Sequence, residues 1–432
     1  MGGLTSTEIN NKLTVEKTTP ETKQLILDFL NNSETAADIA GIDSTGGTAS
    51  GIDVKTAQDI INKRKTLGKF TDLTQLSSID SLSIEKLGSI IHFPILKGVI
   101  AIVAIEFNIN TASFTNDAMN IRKNFTTAAP SPAWQNGVSI AYADSPALYS
   151  IKETLGQTLA IKARFKGNLI NAAHIRATCG GALGDVKERL VLFNPLGDSR
   201  MVTFQLENTT FHANGISEFN IDWQWQWRLN SLSPWKNLKI TKHRIFVILQ
   251  APTLPWNQVL GSTSLPWTDA LEISCKWAGG AKTTDQAATL ITQKYNSCGV
   301  VSYDIVQGAT YYGVNSYMLT SMINRLNGGP GLGSKVNCTD SADTVVTFAN
   351  LLGCDLWESR MGWSFRCNEI IAIGYNNWAV PFGWGFSYHE IPWKGACTQN
   401  DNIFDGCLKV DGDADPTTPP RTPLLPTNML FG

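Results

Sequence analysis

Charged side chains make up only 17% of the 432 residues, and the formal net charge is −2. A balance so close to zero leaves no electrostatic footprint for nucleic acid or for an anionic membrane. Long apolar runs are missing too. The longest clear one, Val99-Ile100-Ala101-Ile102-Val103-Ala104-Ile105, is far too short for a membrane helix and reads as a buried strand. The eight cysteines include no CxxC pair, which argues against zinc, and no metal or other cofactor is expected. The start, Met1-Gly2-Gly3-Leu4-Thr5-Ser6, does not read as a secretory leader. It fits a myristoylation pattern through Gly2 and Ser6, but that pattern is short and common. The expected compartment is therefore the cytoplasm, with thiols reduced. Export by another route, as for an injected effector, stays open. Cys397 and Cys407 flank Asp405 and are spaced so that they could form a disulfide.

What is present is apolar material in quantity: 43% hydrophobic residues, 13 of them Trp. That is enough for large aromatic cores or for surfaces that bind partners. The length suits two or three domains. Signals along the chain change twice, giving an α+β multidomain reading with boundaries near 95 and 255.

Residues 1–95 are polar with helical spacing. Ala40-Gly41-Ile42-Asp43 opens a small-residue stretch ending in Gly51-Ile52-Asp53, and Ala57, Ile60, Ile61 and Arg64 follow at helical intervals. A second unit runs from Ile79 to Leu87. The pattern resembles a tandem helix-hairpin-helix domain of the competence type. In that family a Gly-apolar-Gly hairpin holds a DNA phosphate on its backbone N–H groups. Here Asp53 replaces the second Gly, and the other hairpin has Ser78 and Asp80 with no Gly. An acidic side chain repels phosphate. Lys63, Arg64, Lys65 and Lys69 read as a solvated face. The domain is therefore expected to dock a protein partner, with DNA the less favoured ligand.

From 96 to 255 the period becomes two. Thr158–Phe165 and Met201–Leu206 alternate, and Asp222-Trp223-Gln224-Trp225-Gln226-Trp227-Arg228 places three Trp on one face. With turn residues between these segments, an antiparallel β-sandwich is expected. The Trp stripe suits a carbohydrate platform, but a core face is favoured, because alternating strands bury one side. Gln250–Trp256 reads as the linker out.

Residues 256–432 hold the candidate chemistry. An amphipathic helix is expected to begin in Val336-Asn337-Cys338-Thr339-Asp340, with Ala342, Val345, Val346, Ala349 and Leu352 on one face. Cys338 falls in its first turn, where backbone N–H groups and the helix dipole favour a thiolate. Of the five His residues only His389 follows Cys338, and Asp405 lies sixteen residues further on. Both sit in segments that read as short neighbouring strands. Asp401, Asp411 and Asp413 lie in more polar, loop-like sequence, whereas Asp405 lies between apolar neighbours, where a carboxylate needs a partner. The loop Gly328–Lys335 nearly spells a phosphate-binding motif. Its Ser334-Lys335 order is reversed and no strand precedes it, so it reads as a flexible approach to Cys338. From Asp411 the chain is rich in Pro and should be extended.

The order Cys, His, Asp resembles the transglutaminase-like branch of the papain-like cysteine enzymes. The resemblance rests on Asn337-Cys338-Thr339-Asp340, on Leu351-Leu352-Gly353-Cys354, on His389 and on Asp405, and covers roughly the last third of the chain. It implies a nucleophile helix packed on a sheet, with Cys338 as nucleophile, His389 as base and then acid, and Asp405 orienting His389. The family usually has Ala-Trp after the His, where this chain has Glu390-Ile391. The implied activity is acyl transfer from a protein or peptide amide through a thioester, ending as peptidase, deamidase or transglutaminase. The alternatives are a non-enzymatic scaffold with a degenerate fold, or a DNA-associated protein acting through residues 1–95.

Overall fold

The computed structural model describes residues 3–33, 35–40, 51–96, 100–108, 116–128, 134–167, 170–194, 196–208, 211–361, 364, 370–377, 386–396, 398, 401–409 and 429–431. The protein is a mixed α+β chain with several separate sheets. Among the described residues, no helix is long and apolar enough to cross a membrane.

The N-terminal part is helical: Ser6–Val15, Pro20–Asn32, Ala36–Ala40, Val54–Leu67 and Ile84–Leu96. Local sequence explains the starts. Thr5 and Glu8 form a capping box, and Thr19 caps the helix that opens with Pro20. The apolar faces meet in one cluster that includes Ile9, Leu30, Ile60 and Ile90. Two residues behave differently from expectation. Asp53 is a helix cap: its carboxylate accepts the Thr56 N–H at 2.8 Å and pairs with Lys86 at 2.6 Å. Arg64 is not part of a solvated face. Its guanidinium donates to the carbonyls of Leu30, Asn31 and Ser33, which the end of the Pro20–Asn32 helix leaves without intrahelical partners. Gly41, Ile42 and Asp43 of the first expected hairpin lie outside the described residues, as do Met1 and Gly2.

The middle of the chain forms two sheets. One has the order Trp134–Gln135, Ile100–Glu106, Ala160–Gly167, Val202–Gln205, and is antiparallel throughout. The other runs Pro146–Ser150, Lys236–Ile248, Ser217–Arg228, Ala172–Thr178, Val186–Leu192. The expectation of a purely antiparallel arrangement fails at one place: Pro146–Ser150 pairs parallel with Arg244–Ile248. Burial is the reason. Ile245 and Val247 enter the cluster shared by the two sheets, while Leu148, Phe246 and Ile248 enter a second cluster with the C-terminal helices. Strands covered on both faces tolerate parallel pairing. Trp223, Trp225 and Trp227 are all buried, as a core face requires. Gln250–Trp256 is not a free linker. The Thr253 N–H donates to the Asn350 carbonyl, and the Trp256 indole N–H donates to that of Thr347.

In the last part, the helices Thr268–Trp277, Thr284–Asn296 and Leu319–Leu326 lead to Cys338–Leu351. This last helix packs on a sheet with the order Trp357–Met361, His389–Trp393, Ile403–Asp405, Met429–Phe431. It is buried on nearly every side, not only along the expected apolar stripe. Helices Thr268–Trp277 and Thr284–Asn296 cover what the sheet does not. Its polar residues survive burial because each is bonded. The Thr344 hydroxyl donates to the Asp340 carbonyl at 2.6 Å, and the Asn350 amide donates to the carbonyls of Leu254 and Leu356. Gly353 ends the helix at φ +83, with the Gln250 backbone where a side chain would stand. The proline-rich stretch, including Asp411 and Asp413, lies outside the described residues.

Candidate active site

Asn337 sets the start of the Cys338 helix. Its side chain accepts the Asp340 N–H at 3.0 Å, while the Asp340 carboxylate accepts the Asn337 N–H at 3.1 Å. The Asn337 amide also donates to the Gly308 carbonyl and the Thr310 hydroxyl. Asp340 is fully buried and receives three further backbone N–H groups, from Tyr311, Tyr312 and Gly313. One cap therefore fixes both the helix start and the loop beside it. Cys338 is the first residue inside the cap and is 3% exposed.

The three residues singled out by sequence come together. His389 opens its strand, and Asp405 closes the next one, which pairs antiparallel with it through Trp393 and Ile403. His389 Nε2 and Asp405 Oδ2 are 2.6 Å apart, and both side chains are buried. Asp405 Oδ1 accepts the Cys407 N–H at 2.8 Å, so the carboxylate has a partner on each oxygen. Gly406 lets the strand end close to the Tyr295 ring, which a side chain there would strike.

Electrostatics follows from this geometry. Burial alone would lower the His389 pKa, but the Asp405 carboxylate and then the Cys338 sulfur outweigh it, and the value rises to about 10. His389 is thus an imidazolium at neutral pH. Its Nδ1 has no hydrogen-bond partner among the described residues. The sulfur is close enough to act on the imidazole charge without meeting hydrogen-bond geometry at Nδ1.

Several neighbours were not singled out by sequence. The Tyr303 phenol is buried beside Cys338. Burial and the Cys338 sulfur push its pKa far up, so it remains a neutral O–H donor. Thr339, next to the Cys, donates to Glu390, next to the His, at 2.5 Å. Glu390 also pairs with Arg360 at 3.6 Å. Of these, Glu390 was noted in the sequence only as the residue that follows His389. Tyr303 owes its place to the parallel pairing of Ser302–Tyr303 with Lys335–Val336, which no local pattern reveals. Lys335 is held by the Tyr375 hydroxyl at 3.1 Å. Cys407 carries a free thiol; Cys397, to which a bridge was considered, lies outside the described residues. No His/Cys/Asp/Glu group suited to a metal occurs among the described residues.

No family model and no curated protein matches the chain. The site must therefore be judged on its own geometry.

Proposed function

We propose that the chain is a cysteine-dependent acyl-transfer enzyme with a transglutaminase-like C-terminal domain. The observation that carries this reading is the buried 2.6 Å His389–Asp405 pair with the Cys338 sulfur at the helix start beside it. Asp405 occupies Nε2, which leaves Nδ1 to exchange a proton with the sulfur. An imidazolium next to a helix N-terminus favours thiolate on a neighbouring Cys. The sulfur attacks an amide carbonyl, the carbon–nitrogen bond breaks, and the leaving amine takes the His389 proton. Water or a second amine, deprotonated by His389, then opens the thioester. The Cys338 backbone N–H is one oxyanion donor, and the neutral Tyr303 hydroxyl is the second in this reading.

One observation favours the scaffold alternative. Cys338, His389 and Asp405 are all nearly inaccessible, so an acyl donor reaches the sulfur only after neighbouring side chains move aside. Turnover separates the two readings. A peptide-amide library should give iodoacetamide-sensitive release of ammonia or amine, abolished in Cys338→Ala and His389→Ala proteins that still melt cooperatively. A Cys338 that iodoacetamide cannot reach in the folded protein would favour the scaffold.

For residues 1–95 we propose a helix-hairpin-helix-like docking module. The Asp53 carboxylate supports this, because it places an acidic group at the hairpin and itself takes the Thr56 N–H.

A further inference from the structure

A cavity of about 660 Å³ lies between the Cys338–Leu351 helix, the 254–267 segment and the start of strand Trp357–Met361. Neither Cys338 nor His389 lines it. Trp256, Trp267, Trp357 and Tyr317 contribute rings to its wall. Their polar atoms are engaged elsewhere. The three indole N–H groups donate to the carbonyls of Thr347, Thr263 and Gly395, each at 2.8 Å, and the Tyr317 hydroxyl donates to Thr344. What these residues offer a ligand is aromatic surface. The charged groups of the wall are two carboxyls, Asp343 and Glu358. No Lys or Arg forms an ion pair with either among the described residues.

We propose that this cavity binds a small organic cation: a primary ammonium carried on an aliphatic or aromatic body. Three features converge on that chemistry. The volume suits a small molecule and is apolar over most of its wall. Aromatic faces attract a cation that has left bulk water. Two neighbouring carboxyls, with no cationic partner among the described residues, supply the charge that the ammonium needs. A neutral ligand would leave that charge uncompensated, and an anion would be repelled. The carboxyls are strained by their surroundings in the same sense. Burial and then Glu358 raise the Asp343 pKa to about 8, with Asp340 and Glu390 adding to the effect. Burial and then Glu390 raise that of Glu358. The pair thus holds a proton near neutrality that a bound ammonium displaces. The inference does not depend on the acyl-transfer reading, because no group of the Cys338 site takes part.

The test is intrinsic tryptophan fluorescence, supported by calorimetry, on the full chain with three matched probes: 2-phenylethylamine, 2-phenylethanol and 3-phenylpropionate. The amine should bind at least about tenfold more tightly than the alcohol, the equivalent of one charge-assisted contact, and the acid should not bind. Amine affinity should increase from pH 6.5 to pH 8.5 as the carboxyl pair loses its proton. Asp343→Asn with Glu358→Gln, checked by thermal melting, should make amine and alcohol bind alike. Equal binding of amine and alcohol by the unaltered protein would overturn the proposal, and so would no amine binding at millimolar concentration. Because the decisive comparison is made on the unaltered protein, a variant that fails to fold does not remove the test.

Discussion

Replacing Asp405 with Asn changes one atom group and tests the whole chain of reasoning about the site. The carboxylate holds His389 Nε2–H and lifts the pKa of a fully buried imidazole to about 10. Asn keeps the shape and can still accept the Cys407 N–H, but it removes the charge. Burial is then opposed only by the Cys338 sulfur, and the His389 pKa falls from its present value. The imidazolium that the present protein holds in nearly all molecules at pH 7.5 should then be depleted. Alkylation of Cys338 that depends on the imidazolium should therefore slow at least about tenfold. Turnover should fall further, on the order of 10²–10⁴, since the amide of Asn also favours the wrong imidazole tautomer. The assay is limiting iodoacetamide followed by mass-spectrometric mapping, with pH-rate profiles for both proteins. Cys275 and Cys354 serve as internal controls. They are as buried as Cys338, burial raises both thiols, and that of Cys354 reaches about 12. An unchanged Cys338 rate in a folded Asp405→Asn protein would refute the orienting role. A Cys338 no faster than Cys275 in the unaltered protein would refute activation altogether.

Further outcomes follow from the same geometry. His389→Ala should abolish turnover, measured on any amide substrate found, while Asp401→Ala leaves it intact. Tyr303→Phe should lower turnover by about 10²–10³ if its hydroxyl is an oxyanion donor, with little change in Cys338 alkylation; equal losses in both readouts would point to packing instead. Asp340→Ala leaves four backbone N–H groups without their buried acceptor and should cost about 3–5 kcal/mol, read by chemical denaturation. The His389 proton is held more tightly in the folded chain than in the unfolded one. That contribution to stability is complete below pH 6.5 and is lost as the pH rises toward 10, so melting temperature should decline across that window in the unaltered protein and less in Asp405→Asn. Fluorescence anisotropy of the full chain with labelled duplex DNA should show no submicromolar, salt-dependent binding.

Local signals were legible in the sequence, and distant ones were not. The Cys338 helix announced itself through its apolar spacing, which depends on residues a few positions apart. His389 and Asp405 could be picked out because few residues of the right type follow the Cys. Tyr303 could not, because its place beside the sulfur depends on a parallel pairing with residues 335–336. The parallel edge at Pro146–Ser150 was hidden for the same reason: its partner lies nearly a hundred residues away. Asp343 and Glu358 lie fifteen residues apart and share no local pattern. Only the fold brings them onto one cavity wall. Asp53 was noticed as a departure from a phosphate-binding pattern, but its work as a helix cap needed Lys86 and Thr56 in place.

The Thr339–Glu390 hydrogen bond joins the residue after the sulfur to the residue after the imidazole. Mechanically it is a crossbar, set one residue away from the reacting pair. A helix and a strand linked this way can rotate about the bar but cannot drift apart while it holds. Glu390→Gln keeps the bar and Glu390→Ala removes it. The difference between them should appear as a broader spread of Cys338 alkylation rates, a loss of reproducibility in a distance rather than of any reacting group.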